Sequence, residues 1–316
     1  MGVVLENVIE VLKRYKKEFL NELKIQNYSE NTIETYSKEI EYFIEYFRMF
    51  QDEIGLEEIN RPFIQQSLIF REEQSVKDKI SANTKKLYIK ALYQFCIYLT
   101  DCLEGKKDFT APFQKINVRS EIKEKKYLNE DEVERLFNYL EVLKNQRKMY
   151  PTIRNILLVK IVYFTGMRVS EVLNLTFNDI KEFEGDKDIW QIRVFGKGKK
   201  EAFCYIKKDK IGEELEQLQR FRSKFHIDTP YLFCSKKGRK LTRFEAYDVF
   251  TTTLRKAGIN KQGVHIFRHT LGFNLAQKNV RIEDIQEVLR HANISTTRIY
   301  VQRKEIDKIN SVKKIW

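Results

Sequence analysis

The chain has 316 residues, of which 42% are apolar and 33% charged, with 12 glycines and 4 prolines. That supplies enough apolar side chain for two separate cores and too little Gly and Pro for a fibrous or low-complexity protein. A formal charge of +13 favours a polyanionic partner without specifying which. No apolar run reaches membrane length, and Glu6 arrives too soon after Met1 for a signal peptide, so a cytoplasmic protein without membrane insertion is expected.

In chain order, Leu5, Val8, Leu12, Tyr15, Phe19 and Leu23 recur at three- and four-residue steps and predict a first amphipathic helix. A capping cluster, Ser29-Glu30-Asn31-Thr32, precedes a second run through Ile33, Tyr36, Ile40, Phe43 and Phe47. A third helix opens near Asn60-Arg61-Pro62, where proline suits a first turn, and a fourth near Ser81. Four helices in about the first hundred residues make a small bundle. The stretch 108–126 is polar and basic and reads as a hydrated linker, ending in Lys123, Lys125 and Lys126. The predicted domains are therefore 1–107 and 127–316. The second opens with a capping box at Asn129 and Glu132. It is mainly helical, with one β element: strands over 188–195 and 201–206 around the turn Gly196-Lys197-Gly198. The four cysteines have no metal-ligand spacing and read as reduced, mostly buried residues.

Four segments carry candidate chemistry. Thr165-Gly166-Met167-Arg168 places a guanidinium at a helix start, where it can contact phosphate. Lys197 sits between two glycines in the hairpin turn and could bring an ammonium to a leaving oxygen. His265 and Arg268 are three apart on one helix face, pairing a proton carrier with a fixed charge. The last segment runs from Leu289-Arg290-His291 to Tyr300. Singly, Arg168, Lys197 and Tyr300 have plainer structural explanations. The histidines weigh differently, because three of the chain's four fall between residues 265 and 291.

The order Arg168, Lys197, His265-x-x-Arg268, His291, Tyr300 resembles the tyrosine recombinases, which include phage-type integrases and the bacterial Xer enzymes. The motifs span residues 165–300, and the preceding bundle is similar to that family's core-binding domain, so the likeness covers nearly the whole chain. It implies a mainly α fold with a small antiparallel β element, an N-terminal four-helix DNA-binding domain and a C-terminal catalytic domain. It also implies that Tyr300 attacks a DNA phosphate to give a 3′-phosphotyrosyl bond and a free 5′-hydroxyl. Arg168 and Arg268 would hold the non-bridging oxygens, Lys197 protonate the leaving oxygen, His265 support proton transfer at the tyrosine, and His291 hydrogen-bond the phosphate. Glu171 would orient Arg168 or its helix start. A phenol is a weak nucleophile at neutral pH unless a base and positive charge assist it, and these groups supply both without metal or ATP.

The implied partners are double-stranded DNA bearing an inverted-repeat site, and further copies of the chain, two on one duplex and four on a synapsed pair. Residues 301–316, with Ile306, Ile309, Val312 and Ile315 on one helix face, suggest a tail passed to a neighbouring subunit. A compact two-domain layout is most like the Xer enzymes, which resolve chromosome dimers, and it implies a cell-division or accessory protein as activator. Mobile-element integration and type IB topoisomerase action stay open alternatives. For DNA contacts, Lys123, Lys125, Lys126 and Arg243 are the candidates. The sequence departs from the family where Arg290 replaces the glycine usual before the second motif histidine, and also at Gly272 and Asn274.

Overall fold

The computed structural model describes residues 7–50, 54–75, 79–104, 107–114, 116–119, 127–196, 200–291, 297 and 300. The chain divides into two compact units, Met1–Lys123 and Glu124–Trp316.

The first unit contains α1 (Val8–Ile25), α2 (Glu30–Arg48), α3 (Arg61–Glu73) and α4 (Ala82–Cys102). Ser29, Asn60 and Ser81 cap the last three, their side-chain oxygens accepting from the amides of Thr32, Phe63 and Thr84. The apolar steps turn inward, and Leu12, Phe19, Ile40, Phe43, Phe47, Phe63, Phe95 and Leu99 share one core. Arg71 and Glu39 are buried together, Nε to Oε2 at 2.8 Å, with the guanidinium 3.8 Å from the Tyr42 ring centroid. Neither charge could be buried without the other. Part of the segment expected as linker enters this core, through Phe109 and Phe113.

The second unit opens with α5 (Glu130–Gln146), where the Asn129–Glu132 capping box is formed in both directions. Its axis is α6 (Tyr150–Thr165). Ile153, Ile156, Leu157, Leu158, Val159, Ile161 and Val162 bury its whole circumference, which is why its pattern shows no single apolar stripe. Lys160, also buried on α6, is held by Glu214 at 2.7 Å. After α7 (Val169–Leu173) come β1 (Ile180–Phe183), β2 (Asp186–Phe195) and β3 (Glu201–Lys207), antiparallel in the order β1-β2-β3. Arg193 pairs with Phe203, so Ile192, Val194, Cys204 and Ile206 face the core while Arg193, Phe195, Phe203 and Tyr205 face outward. The hairpin is where the sequence places it; β1 was not expected. Four helices complete the unit: α8 (Lys208–Lys224), α9 (Arg243–Lys256), α10 (His265–Gln277) and α11 (Ile282–Leu289). Among the described residues no helix is long and apolar enough to cross a membrane.

Two helix ends set up the site. Helix α6 stops at Gly166, in the left-handed conformation at φ 61°. A Cβ there would lie 3.0 Å from Leu289 Cδ2 and 3.1 Å from Leu271 Cδ2. Helix α11 also stops in the left-handed conformation, at Arg290 with φ 53°. Such ends expose main-chain carbonyls that lack helical partners. Gly166→Ala combines left-handed strain with crowding and is expected to cost about 1–2 kcal/mol. It should appear as a lower urea midpoint with an unchanged slope.

Candidate active site

Arg268, on the second turn of α10, is buried to 5% exposure. Its Nη1 donates to Gly166 O at 2.6 Å, and its Nη2 donates to Leu289 O. The carbonyl ends of α6 and α11 thus grip one guanidinium, and the negative poles of both helices favour its charge. Burial, followed by repulsion from Arg168 and Arg290, pulls its pKa down to about 10, so it stays cationic at neutral pH.

Arg168 precedes α7, and its side chain is 40% exposed. Its Nη1 donates to Glu171 Oε1 at 2.7 Å, its Nη2 to Arg290 O at 3.3 Å, and its amide to Glu171 Oε2 at 2.9 Å. Glu171 therefore both orients Arg168 and caps its helix, roles that the family resemblance offered as alternatives. Burial pushes the Glu171 carboxyl upward, but the Arg168 amide and the Arg290 and Arg168 guanidiniums outweigh that and hold it below the usual range.

Arg290 is the third guanidinium, donating from Nη2 to Glu171 Oε2 at 3.2 Å and from Nη1 to Cys204 Sγ at 2.8 Å. Its left-handed backbone explains why a glycine suits this position. An L-residue there carries strain of about 1–2 kcal/mol, which the ion pair with Glu171 helps offset.

Tyr300 is 8% exposed and packs with Ile285 and Leu289. Its hydroxyl is in hydrogen-bond contact with His269 Nδ1 at 2.7 Å. The ring lies against Gly272: a Cβ there would sit 2.6 Å from Cε2 and 2.7 Å from Cζ. His291 lies nearly parallel to it, with centroids 6.3 Å apart, and its Nδ1 contacts Thr297 Oγ1 at 2.8 Å. Burial pushes the phenol up to about 12, against the pull of Arg268, so the hydroxyl is protonated at neutral pH.

Arg168, Arg268, His291 and Tyr300 are thus gathered around the ends of α6, α10 and α11. His265 is exposed at the first position of α10, and the histidine at the Tyr300 hydroxyl is His269. Arg243 is exposed as the first residue of α9, after a capping box between Thr242 and Glu245. Lys197, Lys123, Lys125, Lys126 and the tail 301–316 lie outside the described residues. Sequence reasoning missed the roles of His269 and Gly272. The available signal was their three-residue spacing, which puts them on one helix face. Among the described residues no cluster of three or more His, Cys, Asp or Glu is placed to hold a metal ion.

Such a site suits a reaction whose anion is held by arginines while a tyrosine oxygen forms and releases an ester bond. On a helical domain with one small sheet, that is the layout of enzymes that cut and rejoin DNA through tyrosine. The chain belongs to the phage integrase family, whose model matches residues 126–305, and within the tyrosine recombinases it is Xer-like. It is a site-specific DNA recombinase acting through a tyrosine nucleophile. Tyrosine recombinase XerH of Campylobacter jejuni is 30% identical over 288 residues, covering 88% of this chain and 76% of that protein. Tyrosine recombinase XerC of Leptospira interrogans is 28% identical over 305 residues, covering 96% and 93%. Among solved structures, XerH bound to a palindromic difH substrate after cleavage superposes with a TM-score of 0.83 at 24% identity, covering 99% of this chain and 98% of that one. A lambda integrase dimer on a core site gives 0.64 at 16% identity, covering 93% and 96%; both likenesses concern the fold. The mainly helical architecture with its small antiparallel sheet is the one expected from the sequence.

Two outcomes follow. Glu171 has a folded-state pKa below its unfolded value, so its contribution to stability is present above that unfolded value, about 4.3. The contribution is lost as pH falls through the depressed folded value. The melting temperature of wild type should therefore fall more steeply than that of Glu171→Gln below about pH 4.3. Gly272→Ala should force the Tyr300 ring from its seat. Ultraviolet difference titration against Tyr300→Phe should then place the phenol nearer the free value of about 10 than the seated value of about 12.

Proposed function

We propose that Tyr300 is the nucleophile of this recombinase, and that the observation carrying this is its placement beside His269 and His291 and within the field of Arg268. The Tyr300 oxygen attacks a DNA phosphorus, the bond to the 5′-oxygen breaks, and a 3′-phosphotyrosyl ester forms. The phenolic proton leaves to a base and the departing 5′-oxygen gains one, so the exchange conserves one phosphoester bond. Arg168 and Arg268 hold the non-bridging oxygens, opposing the negative charge that builds in the transition state. Lys197 protonates the leaving oxygen, and His291 hydrogen-bonds the phosphate. His265 supports proton transfer at the reacting centre, while His269 Nδ1 is in hydrogen-bond contact with the Tyr300 hydroxyl in the unliganded chain. Reversal by the 5′-hydroxyl of another strand completes recombination. The charges at hand supply what a neutral phenol lacks at physiological pH.

The DNA is a duplex with inverted-repeat half-sites, gripped by the N-terminal four-helix domain and the catalytic domain. Two copies occupy one site and four the synapsed pair, with the tail 301–316 passed between subunits. The XerH neighbour is bound to a palindromic substrate, which supports the inverted-repeat DNA of this reading. Arg243, exposed at the start of α9, and Lys123, Lys125 and Lys126 provide phosphate contacts, which makes binding salt-sensitive. The role is resolution of chromosome dimers in the cytoplasm, at the nucleoid, under a cell-division or accessory protein.

Covalent capture tests this. Purified chain is mixed with sheared DNA from its host and quenched in detergent, and the DNA retained on protein is sequenced. Wild type should retain one short sequence through a 3′ linkage, and Tyr300→Phe none, while both bind that sequence without detergent. Retention by Tyr300→Phe would assign the nucleophile elsewhere.

A further inference from the structure

Three guanidiniums, those of Arg168, Arg268 and Arg290, are gathered with one buried carboxylate, Glu171. Glu171 Oε1 accepts from Arg168 Nη1 at 2.7 Å, while Oε2 accepts from the Arg168 amide at 2.9 Å and from Arg290 Nη2 at 3.2 Å. The Arg290 side chain is 12% exposed, against 40% for Arg168. Its other arm is fixed by Cys204 Sγ at 2.8 Å and Val288 O at 3.0 Å. Arg290 is thus committed to the protein interior, whereas the Arg168 side chain reaches solvent.

The consequence is electrostatic. One carboxylate beside two catalytic arginines would cancel half their charge, and the exposed Arg168 would lose most, since it shares the closest contact. A third guanidinium on the same carboxylate restores that charge. The position is built for glycine, because its φ is 53°. An arginine in this conformation has exchanged backbone ease for a side-chain contact that reaches Glu171.

We propose that Arg290 is a positioning residue for strand cleavage: it occupies Glu171 so that the Arg168 guanidinium keeps its charge for the scissile phosphate. The inference rests on the assignment of Arg168 and Tyr300 to phosphoryl transfer made above. It predicts a dependence on Glu171 that a packing role would not show. If Arg290 only fills space, its loss and the loss of the Glu171 charge are two separate injuries. If it screens Glu171, removing the carboxylate charge makes Arg290 dispensable.

The test uses single-turnover formation of the covalent complex on a nicked duplex of the sequence recovered by capture. The chains compared are wild type, Arg290→Gly, Arg290→Lys, Glu171→Gln and the double variant Arg290→Gly/Glu171→Gln. Arg290→Gly should slow the covalent step about tenfold, a difference of about 1.4 kcal/mol in the barrier. Its binding to the intact duplex should change less than threefold, because the phosphate contacts elsewhere persist. Because Glu171 also orients Arg168, the reference for the double variant is Glu171→Gln alone: Arg290→Gly should cost about threefold or less in that background, and Arg290→Lys should keep an intermediate rate. Thermal unfolding confirms that each variant is folded, and glycine is the residue the backbone at 290 accommodates most easily. A wild-type rate in Arg290→Gly, or an undiminished loss when Arg290→Gly is added to Glu171→Gln, overturns the proposal. Wild type forming no covalent complex on any captured or sheared DNA would instead bring down the underlying assignment of the nucleophile, and this inference with it.

Discussion

A guanidinium buried away from water must find its hydrogen bonds inside the protein, and Arg268 is the group around which the catalytic unit is arranged. An isolated buried charge would be prohibitively unstable. This one is held by the carbonyls of Gly166 and Leu289, each at the end of a helix where such groups lack a helical partner. The left-handed turn at Gly166 and the one at Arg290 stop α6 and α11 beside the Arg268 guanidinium. Both helix dipoles then point their negative ends at it. The dense apolar packing of α6 keeps that geometry stiff, since a side chain buried on all faces has no room to shift. The Arg268 guanidinium is thus preorganised by backbone rather than by mobile side chains, which suits a reaction helped by fixed charge.

The same arrangement leaves the tyrosine in a restrained state. Its ring fills the space where Gly272 has no side chain, His269 engages the hydroxyl, and burial keeps the phenol protonated. Chemistry that breaks DNA is hazardous when it runs unprompted, and a neutral phenol in an apolar seat is a poor nucleophile. A bound phosphate would bring charge and new contacts to the pocket, and the energy of binding DNA is available to alter that seat. Arg268 links the two halves of the site, because the ends of α6 and α11 hold it and it also pulls down the pKa of the Tyr300 phenol.

Several features are legible in the sequence alone, for identifiable reasons. Ser29, Asn60, Ser81 and Asn129 announce helix starts because their oxygens satisfy amides that the helix cannot. The β2–β3 hairpin was visible because its strands are rich in branched and aromatic residues around a glycine turn. Strand β1 was not, since Ile180-Lys181-Glu182-Phe183 is too short to show alternation and is defined by its pairing with β2. His265 and Arg268 share a helix face by spacing, yet one is exposed and the other buried, a difference set by what packs against α10.

By itself, the sequence determined the helix starts, the hairpin and the order of the reactive groups, and it is the resemblance of that order to the tyrosine recombinases that implied the kind of chemistry. Local rules act over a few residues, so caps, turns and helix faces can be read along the chain. Tertiary structure alone decided which groups meet. Tyr300 and His269 are 31 positions apart and Arg290 and Glu171 are 119 apart. That His269 engages the Tyr300 hydroxyl, that Gly272 is a socket for its ring, and that Arg290 turns inward to Glu171 are consequences of helices closing on one another. No local pattern encodes those distances; the packing of α6, α10 and α11 creates them, and with them the electrostatics of the site.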